Sequence, residues 1–266
     1  MLLEFTKMQG VGNDYVYLDA RHQRITQPQK LARLLSERHF GIGADGLVLI
    51  LAGTTEADVT MAMYNADGSE GMMCGNAVRC IAEWLYTHGE MKGNVCRIAT
   101  KSGVKIVRRL REHYYSVSMG TAQVGTVDFA GITGLTTVQV GNPHVVWFPN
   151  FAIKNYNIKR LGQRIEHSKI FPDGANVEFA RVVGDNVLEV RVWERGTGET
   201  LGCGTGACAV AVASVVRGLC NREHLIRVQL PGGELVVDYA SEQVRLLGPA
   251  YEIFRGVIEV EVQDED

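Results

Sequence analysis

Gly198-Glu199-Thr200-Leu201-Gly202-Cys203-Gly204-Thr205-Gly206-Ala207-Cys208 runs straight into Ala209-Val210-Ala211-Val212-Ala213-Ser214-Val215-Val216. A cysteine between glycines thus stands at the mouth of an apolar run of helical length. A second copy lies upstream. Gly68-Ser69-Glu70-Gly71-Met72-Met73-Cys74-Gly75-Asn76-Ala77-Val78 leads into Arg79-Cys80-Ile81-Ala82-Glu83-Trp84-Leu85. Cys74 and Cys203 are 203 − 74 = 129 residues apart, and three more landmarks keep that offset. Gly12-Asn13 matches Gly141-Asn142 (142 − 13 = 129), Asn65 after Tyr64 matches Glu194 after Trp193 (194 − 65 = 129), and Glu70 matches Glu199 (199 − 70 = 129). Four landmarks in one order at one spacing predict two homologous lobes related by approximate two-fold symmetry.

Outward from the cysteine loops, short β-branched and aromatic runs are separated by glycine turns, which predicts strands. Residues 3–19 read as two strands around Gly10-Val11-Gly12, and 47–51, 59–64, 95–100, 104–110 and 114–119 as further strands. Residues 28–39, with Pro28 at the start and Leu31, Leu34 and Leu35 on one side, predict an amphipathic helix. The pattern restarts after Thr121. Residues 138–148 read as strand, turn, strand, 158–168 as a helix, 187–193 as a strand, and 226–230, 234–239, 244–247 and 254–262 as strands. No regular strand–helix–strand rhythm is visible, so the expected class is α+β with a mixed, mostly antiparallel sheet in each lobe. The expected lobes are 1–118, joined by a C-terminal strand at about 253–266, and 119–252. Gly41-Ile42-Gly43 precedes its strand instead of following it, which excludes a dinucleotide fingerprint there.

Composition narrows the function classes. The chain has 266 residues, 46% of them apolar and 21% charged, which is globular. A net charge of −3 provides no basic footprint for nucleic acid or an acidic membrane surface. The most apolar run, 201–216, is too short for a membrane span. No apolar leader opens the sequence, and six cysteines without a zinc-finger or CxxC spacing fit free thiols in a reducing, cytoplasmic setting with no metal. Cys80, Cys96, Cys208 and Cys220 read as small core residues.

Cys74 and Cys203 read differently. The reactive form of cysteine is the thiolate, and a helix N-terminus lowers the thiol pKa. The same orphan amides bind a carboxylate. A pseudo-two-fold would set one thiol on each side of a shared cleft, with a substrate α-carbon between them. One sulfur removes the α-proton and the other delivers a proton to the opposite face, which inverts a stereocentre with no metal or cofactor. Asn13, Asn65, Asn142 and Asn176 lie in loops near strand ends, as turn formers or as ligands. Glu194-Arg195 enters the cysteine loop as a charge pair that suits an ammonium and a second carboxylate. His144 is either an aid to proton transfer or a capped structural histidine.

These residues together resemble the diaminopimelate epimerase family over essentially the whole chain. The matching stretches are Gly12-Asn13-Asp14, Gly41 to Gly46, Tyr64 to Ser69, Met73-Cys74-Gly75-Asn76, Gly141-Asn142-Pro143-His144, Gly174-Ala175-Asn176-Val177, Trp193-Glu194-Arg195-Gly196 and Gly202 to Gly206. The resemblance implies interconversion of LL- and meso-2,6-diaminopimelate, a late step of lysine synthesis that also supplies peptidoglycan. It implies lobes built as β-barrel-like sheets around a central helix, a C-terminal strand returning to the first lobe, no cofactor, and a homodimer. It implies a thiol/thiolate pair at Cys74 and Cys203. Asn65, Asn142, Asn176, Glu194 and Arg195 would hold the distal centre, and Asn13, Gly75, Asn76, Gly204 and Thr205 the reacting end. Many members carry Gln where this chain has Gly46, so a contact from that side chain is missing. The alternatives are a proline or hydroxyproline racemase, in which His commonly follows the first Cys-Gly where Asn76 stands here, and a non-catalytic amino-acid-binding relative, which would lack one or both cysteines.

Overall fold

Alternation decides the strands. In Ile226-Arg227-Val228-Gln229-Leu230 the three apolar side chains are buried and the two polar ones exposed, as a sheet with one wet face requires. The structure, a computed structural model, describes residues 1–261. The last part of the expected C-terminal strand, 262–266, lies outside the described residues.

The chain divides into two compact units, Met1–Val117 with the segment from Pro249 onward, and Ser118–Gly248. In the first unit β1 (Leu2–Gly10) pairs antiparallel with β2 (Asn13–Asp19) and with the returning β18 (Tyr251–Glu259). β2 runs parallel to β3 (Gly46–Ala52), and β3 pairs antiparallel with β4 (Val59–Asn65). β4 pairs with the short β5 (Glu70–Gly71) and lies parallel to β6 (Val95–Thr100). β7 (Gly103–Arg111) and β8 (Tyr114–Thr121) continue as antiparallel hairpins. α1 (Pro28–Ser36) packs on β3 and β4, and α2 (Gly75–Thr87) packs against β1, β7 and β18.

The second unit repeats this plan. β9 (Gln123–Phe129) pairs with β10 (Ile132–Val140) as β18 pairs with β1, and β10 pairs with β11 (Asn142–Trp147). β12 (Asn176–Gly184) is parallel to β11 and antiparallel to β13 (Val187–Glu194), which holds the short β14 (Gly198–Thr200). β13 runs parallel to β15 (Ile226–Leu230), and β16 (Gly233–Asp238) and β17 (Gln243–Pro249) complete the meander. α3 (Ile158–Glu166) covers β12 and β13, while α4 (Gly204–Val216) packs against strands from β10 to β16. α2 and α4 are both 13 residues long, and their ends keep the repeat: 204 − 75 = 129 and 216 − 87 = 129. The class is α+β with two homologous lobes, each a mostly antiparallel sheet around one central helix.

The central helices explain the apolar run of the sequence. From Gly204 to Ser214 every α4 residue is buried, so a helix apolar on all sides is the required solution. Alanine, valine and glycine keep it slim enough for the sheet to close around it.

Two expectations need correction. Each helix does sit in a crossover between parallel strands: α1 joins β2 to β3, α2 joins β4 to β6, α3 joins β11 to β12, and α4 joins β13 to β15. The hairpins between crossovers break the rhythm in the sequence. β9 and the first half of β10 were not expected either. Most of β9 is exposed, so it has no inward apolar alternation to read.

Candidate active site

Both landmark cysteines fall on helix N-caps. Cys74 caps α2 and Cys203 caps α4, each with an extended backbone (φ −131° and −117°) that turns the following residue into the helix. The glycine-bounded loops permit this turn, and the first apolar residues of the helices, Ala77 and Ala207, are fully buried. All six cysteines are free thiols. Cys80, Cys96, Cys208 and Cys220 are buried, and burial pushes the Cys80 and Cys96 thiols up to about 12, as expected for inert core residues.

In the first unit an amide network surrounds the sulfur. The half-buried Cys74 Sγ donates to Asn13 Oδ1 at 3.3 Å, and Asn76 Nδ2 donates to the same oxygen at 3.1 Å. Asn76 is fixed in turn by Arg79, whose Nη2 donates to Asn76 Oδ1 at 2.6 Å. Asn13 opens β2 after Gly12 (φ +79°), and Asn142 opens β11 after Gly141 (φ +76°), so the repeat reaches into the turn geometry. Asn13 Nδ2 donates to Asp45 Oδ2 at 2.8 Å. Arg38 bridges Asp45 and Asp14 at 3.0 and 3.2 Å, and Lys7 pairs with Asp14 at 2.6 Å. Burial raises the Asp14 carboxyl, but the Lys7 and Arg38 charges outweigh it and hold the pKa below the ordinary value. Burial, then the Asp14 charge, push Asp45 the other way. Asn65 ends β4 and donates to Ser69 Oγ at 2.9 Å.

In the second unit charges take the place of amides. Cys203 Sγ accepts from Gly206 N–H at 3.3 Å and lies 3.4 Å from Thr205 Oγ1. Glu194, at the end of β13, accepts from the Thr200 hydroxyl and from the Cys203 thiol. His144 and Glu178 form a fully buried pair, Nδ1 to Oε1 at 2.6 Å. Asn176 opens β12 and accepts from the Arg195 backbone N–H at 2.9 Å. The exposed Arg195 guanidinium donates to the Asp173 carbonyl at 2.7 Å. Gly75, Gly204 and Thr205 form the first turns of the two central helices.

One expectation fails at Cys203. A helix mouth alone would lower its pKa, yet burial, followed by the Glu194 and Glu178 charges, raises it well above the ordinary thiol value. Thr205 and the Gly206 N–H pull the other way and are outweighed. Burial likewise raises Glu194, with Glu178 adding to it. The sulfur of the resting second unit therefore keeps its proton.

Gly46 has a structural cause. A Cβ there would lie 2.2 Å from the Tyr64 carbonyl oxygen and 2.9 Å from Tyr15 Cε1, so the strand has no room for a side chain.

Three residues of these networks went unrecognised in the sequence: Glu178, Arg79 and Asp45. The available signals were a lone carboxylate in the apolar run Val177-Glu178-Phe179 and a lone arginine inside an apolar helix, since buried charges are rare unless paired. Among the described residues no three His, Cys, Asp or Glu side chains are grouped as a metal ligand set, and no helix is long and apolar enough to cross a membrane.

The family model for diaminopimelate epimerase matches residues 5–125 and 136–252. A diaminopimelate epimerase of Desulfovibrio desulfuricans is 46% identical over 96% of this chain and 97% of its own length. One from Acetivibrio thermocellus is 38% identical over 97% of this chain and 99% of its own. Among solved structures, a PhzF-family phenazine biosynthesis protein of Bacillus anthracis superimposes with a TM-score of 0.76 at 15% identity, covering 98% of this chain and 100% of that one. A probable proline racemase from Agrobacterium radiobacter K84 gives 0.75 at 14% identity, covering 98% and 93%. At such identities the two structures establish the shared fold alone. Two near-full-length relatives and a family model that spans both units show that the chain belongs to the diaminopimelate epimerase family.

Proposed function

We propose that this protein interconverts LL- and meso-diaminopimelate by a cofactor-independent, two-base exchange at the α-carbon, in lysine and peptidoglycan precursor synthesis. The observation that carries this reading is the paired helix mouth: Cys74 and Cys203, 129 residues apart, each cap a 13-residue central helix. One sulfur takes the α-proton while the other, as a thiol, returns a proton to the opposite face. The raised pKa at Cys203 supports that sulfur as the donor in the resting enzyme. Helix amides at Gly75, Asn76, Gly204 and Thr205 would hold the α-carboxylate and stabilise the charge that develops on it. Asn13, Asn65, Asn142 and Asn176 would hold the substrate, and Glu194 and Arg195 its distal ammonium and carboxylate, with His144 in support.

The test is incubation of the purified protein with LL-diaminopimelate in D2O without added cofactor. The expected result is the meso isomer with deuterium at one α-carbon. Conversion of proline with diaminopimelate untouched would replace this reading by the racemase alternative.

A cytoplasmic homodimer belongs to the same proposal. The β1–β18 pair leaves Leu2, Ile253, Phe254 and Val257 exposed, apolar surface that burial against a second copy would cover. Sedimentation of the intact protein at its monomer mass of 29.2 kDa, at micromolar concentration, would remove the dimer.

A further inference from the structure

The repeat duplicates the thiol but not its surroundings. The matching strand registers place Tyr15 opposite His144 and Asn65 opposite Glu194 (144 − 129 = 15, 194 − 129 = 65), and Val48 opposite Glu178, since Glu178 pairs with Val146 as Val48 pairs with Tyr17. The Cys74 site is lined by amides, whereas the Cys203 site gathers two carboxylates and an imidazole. The proposed function already employs Glu194 and His144, and Glu178 has no part in it.

Glu178 is an unusual group to bury. It is 0% exposed in a strand otherwise filled by Val177, Phe179 and Ala180. Its Oε1 binds His144 Nδ1 at 2.6 Å, while its Oε2 and His144 Nε2 are both buried without a hydrogen-bond partner in the protein. Oε1 also stands against the first turn of α4, 2.8 Å from where a Cβ on Gly206 would be, and the same Cβ would lie 3.3 Å from Cys203 Sγ. Only glycine at 206 lets the carboxylate and the sulfur share that corner. A carboxylate held this close to a sulfur in a dry pocket opposes formation of a thiolate, because the low local dielectric leaves the repulsion unscreened.

Resting on the reading of Cys203 as a catalytic thiol, we propose that Glu178 is a positioning residue of the epimerase, which keeps a proton on His144 Nδ1 and supplies the buried negative charge that reserves Cys203 as the proton donor. The groups facing the sulfur are Glu194 from β13, Glu178 from β12, and the Thr205 hydroxyl and Gly206 N–H from α4. His144 from β11 acts on Glu194 and Glu178. Thr205 and Gly206 favour the thiolate and the two carboxylates disfavour it, so removing one carboxylate charge shifts the balance towards ionisation.

The test is Glu178→Gln, which keeps the shape and an oxygen acceptor for His144. Alkylation of Cys203 by iodoacetamide, followed by mass spectrometry in the folded protein, should become about tenfold faster at pH 7, the change for one pKa unit. Labelling of Cys74 should stay unchanged. The alkaline limb of the kcat profile for epimerisation, where the donor loses its proton, should move to lower pH. A folded variant with wild-type Cys203 labelling and an unmoved alkaline limb overturns the proposal, because a merely structural Glu178 predicts that result. Should the variant not fold, 15N NMR of His144 in the wild-type protein decides: a protonated Nδ1 supports the proposal and an unprotonated Nδ1 overturns it. Cys203→Ala separates the two levels. An active Cys203→Ala overturns the reading of the site itself, whereas an inactive Cys203→Ala with an unshifted Glu178→Gln removes only the role of Glu178.

Discussion

Cys74→Ala and Cys203→Ala should each lower kcat for epimerisation by at least about 10³-fold, within the range that a positioned acid or base contributes. Inversion needs a proton to leave one face and another to arrive at the opposite face. A single remaining thiol can only return its proton to the side it came from, which regenerates the starting isomer. The substitutions are small, and thiols make only weak hydrogen bonds, such as those of Cys74 to Asn13 and of Cys203 with Thr205 and Gly206. Thermal unfolding should therefore stay near wild type, which separates lost chemistry from lost fold. Cys80→Ala is the control. Its sulfur is buried inside α2 with a pKa pushed up to about 12, so it should retain most activity and lose some stability through the cavity left behind. Full epimerase activity in either Cys74→Ala or Cys203→Ala would end the two-base reading.

The helix mouths were legible because the chemistry is local. Glycine, cysteine and a following apolar run lie within a dozen consecutive residues, and the 129-residue echo repeats them as a set. The central helices and most strands were legible for the same reason, through short-range periodicity. The parallel crossovers were not, because a crossover is a relation between strands that hairpins separate in the chain. The charge environment of the thiols was hidden in a similar way. His144, Glu178 and Glu194 come from three strands, and only the register of β11, β12 and β13 brings them together. Sequence alone gave Cys74 and Cys203 the same helix mouth and hence the same expected acidity. The fold sets amides around one and carboxylates around the other, and the proposed division of proton-transfer roles rests on that difference.

Arg79→Met should have the second large effect, on stability and activity together. The guanidinium is fully buried, the largest of the fully buried side chains. It donates to the Gly75 carbonyl at 3.1 Å, to the Pro249 carbonyl at 3.2 Å and to Asn76 Oδ1 at 2.6 Å. One side chain thus ties the first turn of α2 to the start of the returning C-terminal segment and orients the amide beside Cys74. Methionine fills a similar volume but leaves the buried Asn76 Oδ1 and the part-buried Pro249 carbonyl short of a donor, at about 1–3 kcal/mol each. Release of the buried charge offsets part of that loss. The expected net destabilisation is about 2–4 kcal/mol, read as a fall in Tm of roughly 4–12 °C. The activity loss has a separate origin. Once Arg79 no longer holds Asn76 Oδ1, the Asn76 amide can turn, and the Asn13 oxygen that accepts a hydrogen bond at Cys74 loses its second donor. Displacement of a reacting group by about 1 Å costs on the order of 10²-fold in rate. Arg79→Lys keeps the charge but lacks the planar fork, so it should recover stability more than kcat. A Tm within 1 °C of wild type for Arg79→Met, together with an unchanged kcat, would show that Arg79 neither braces the helix mouth nor orients Asn76.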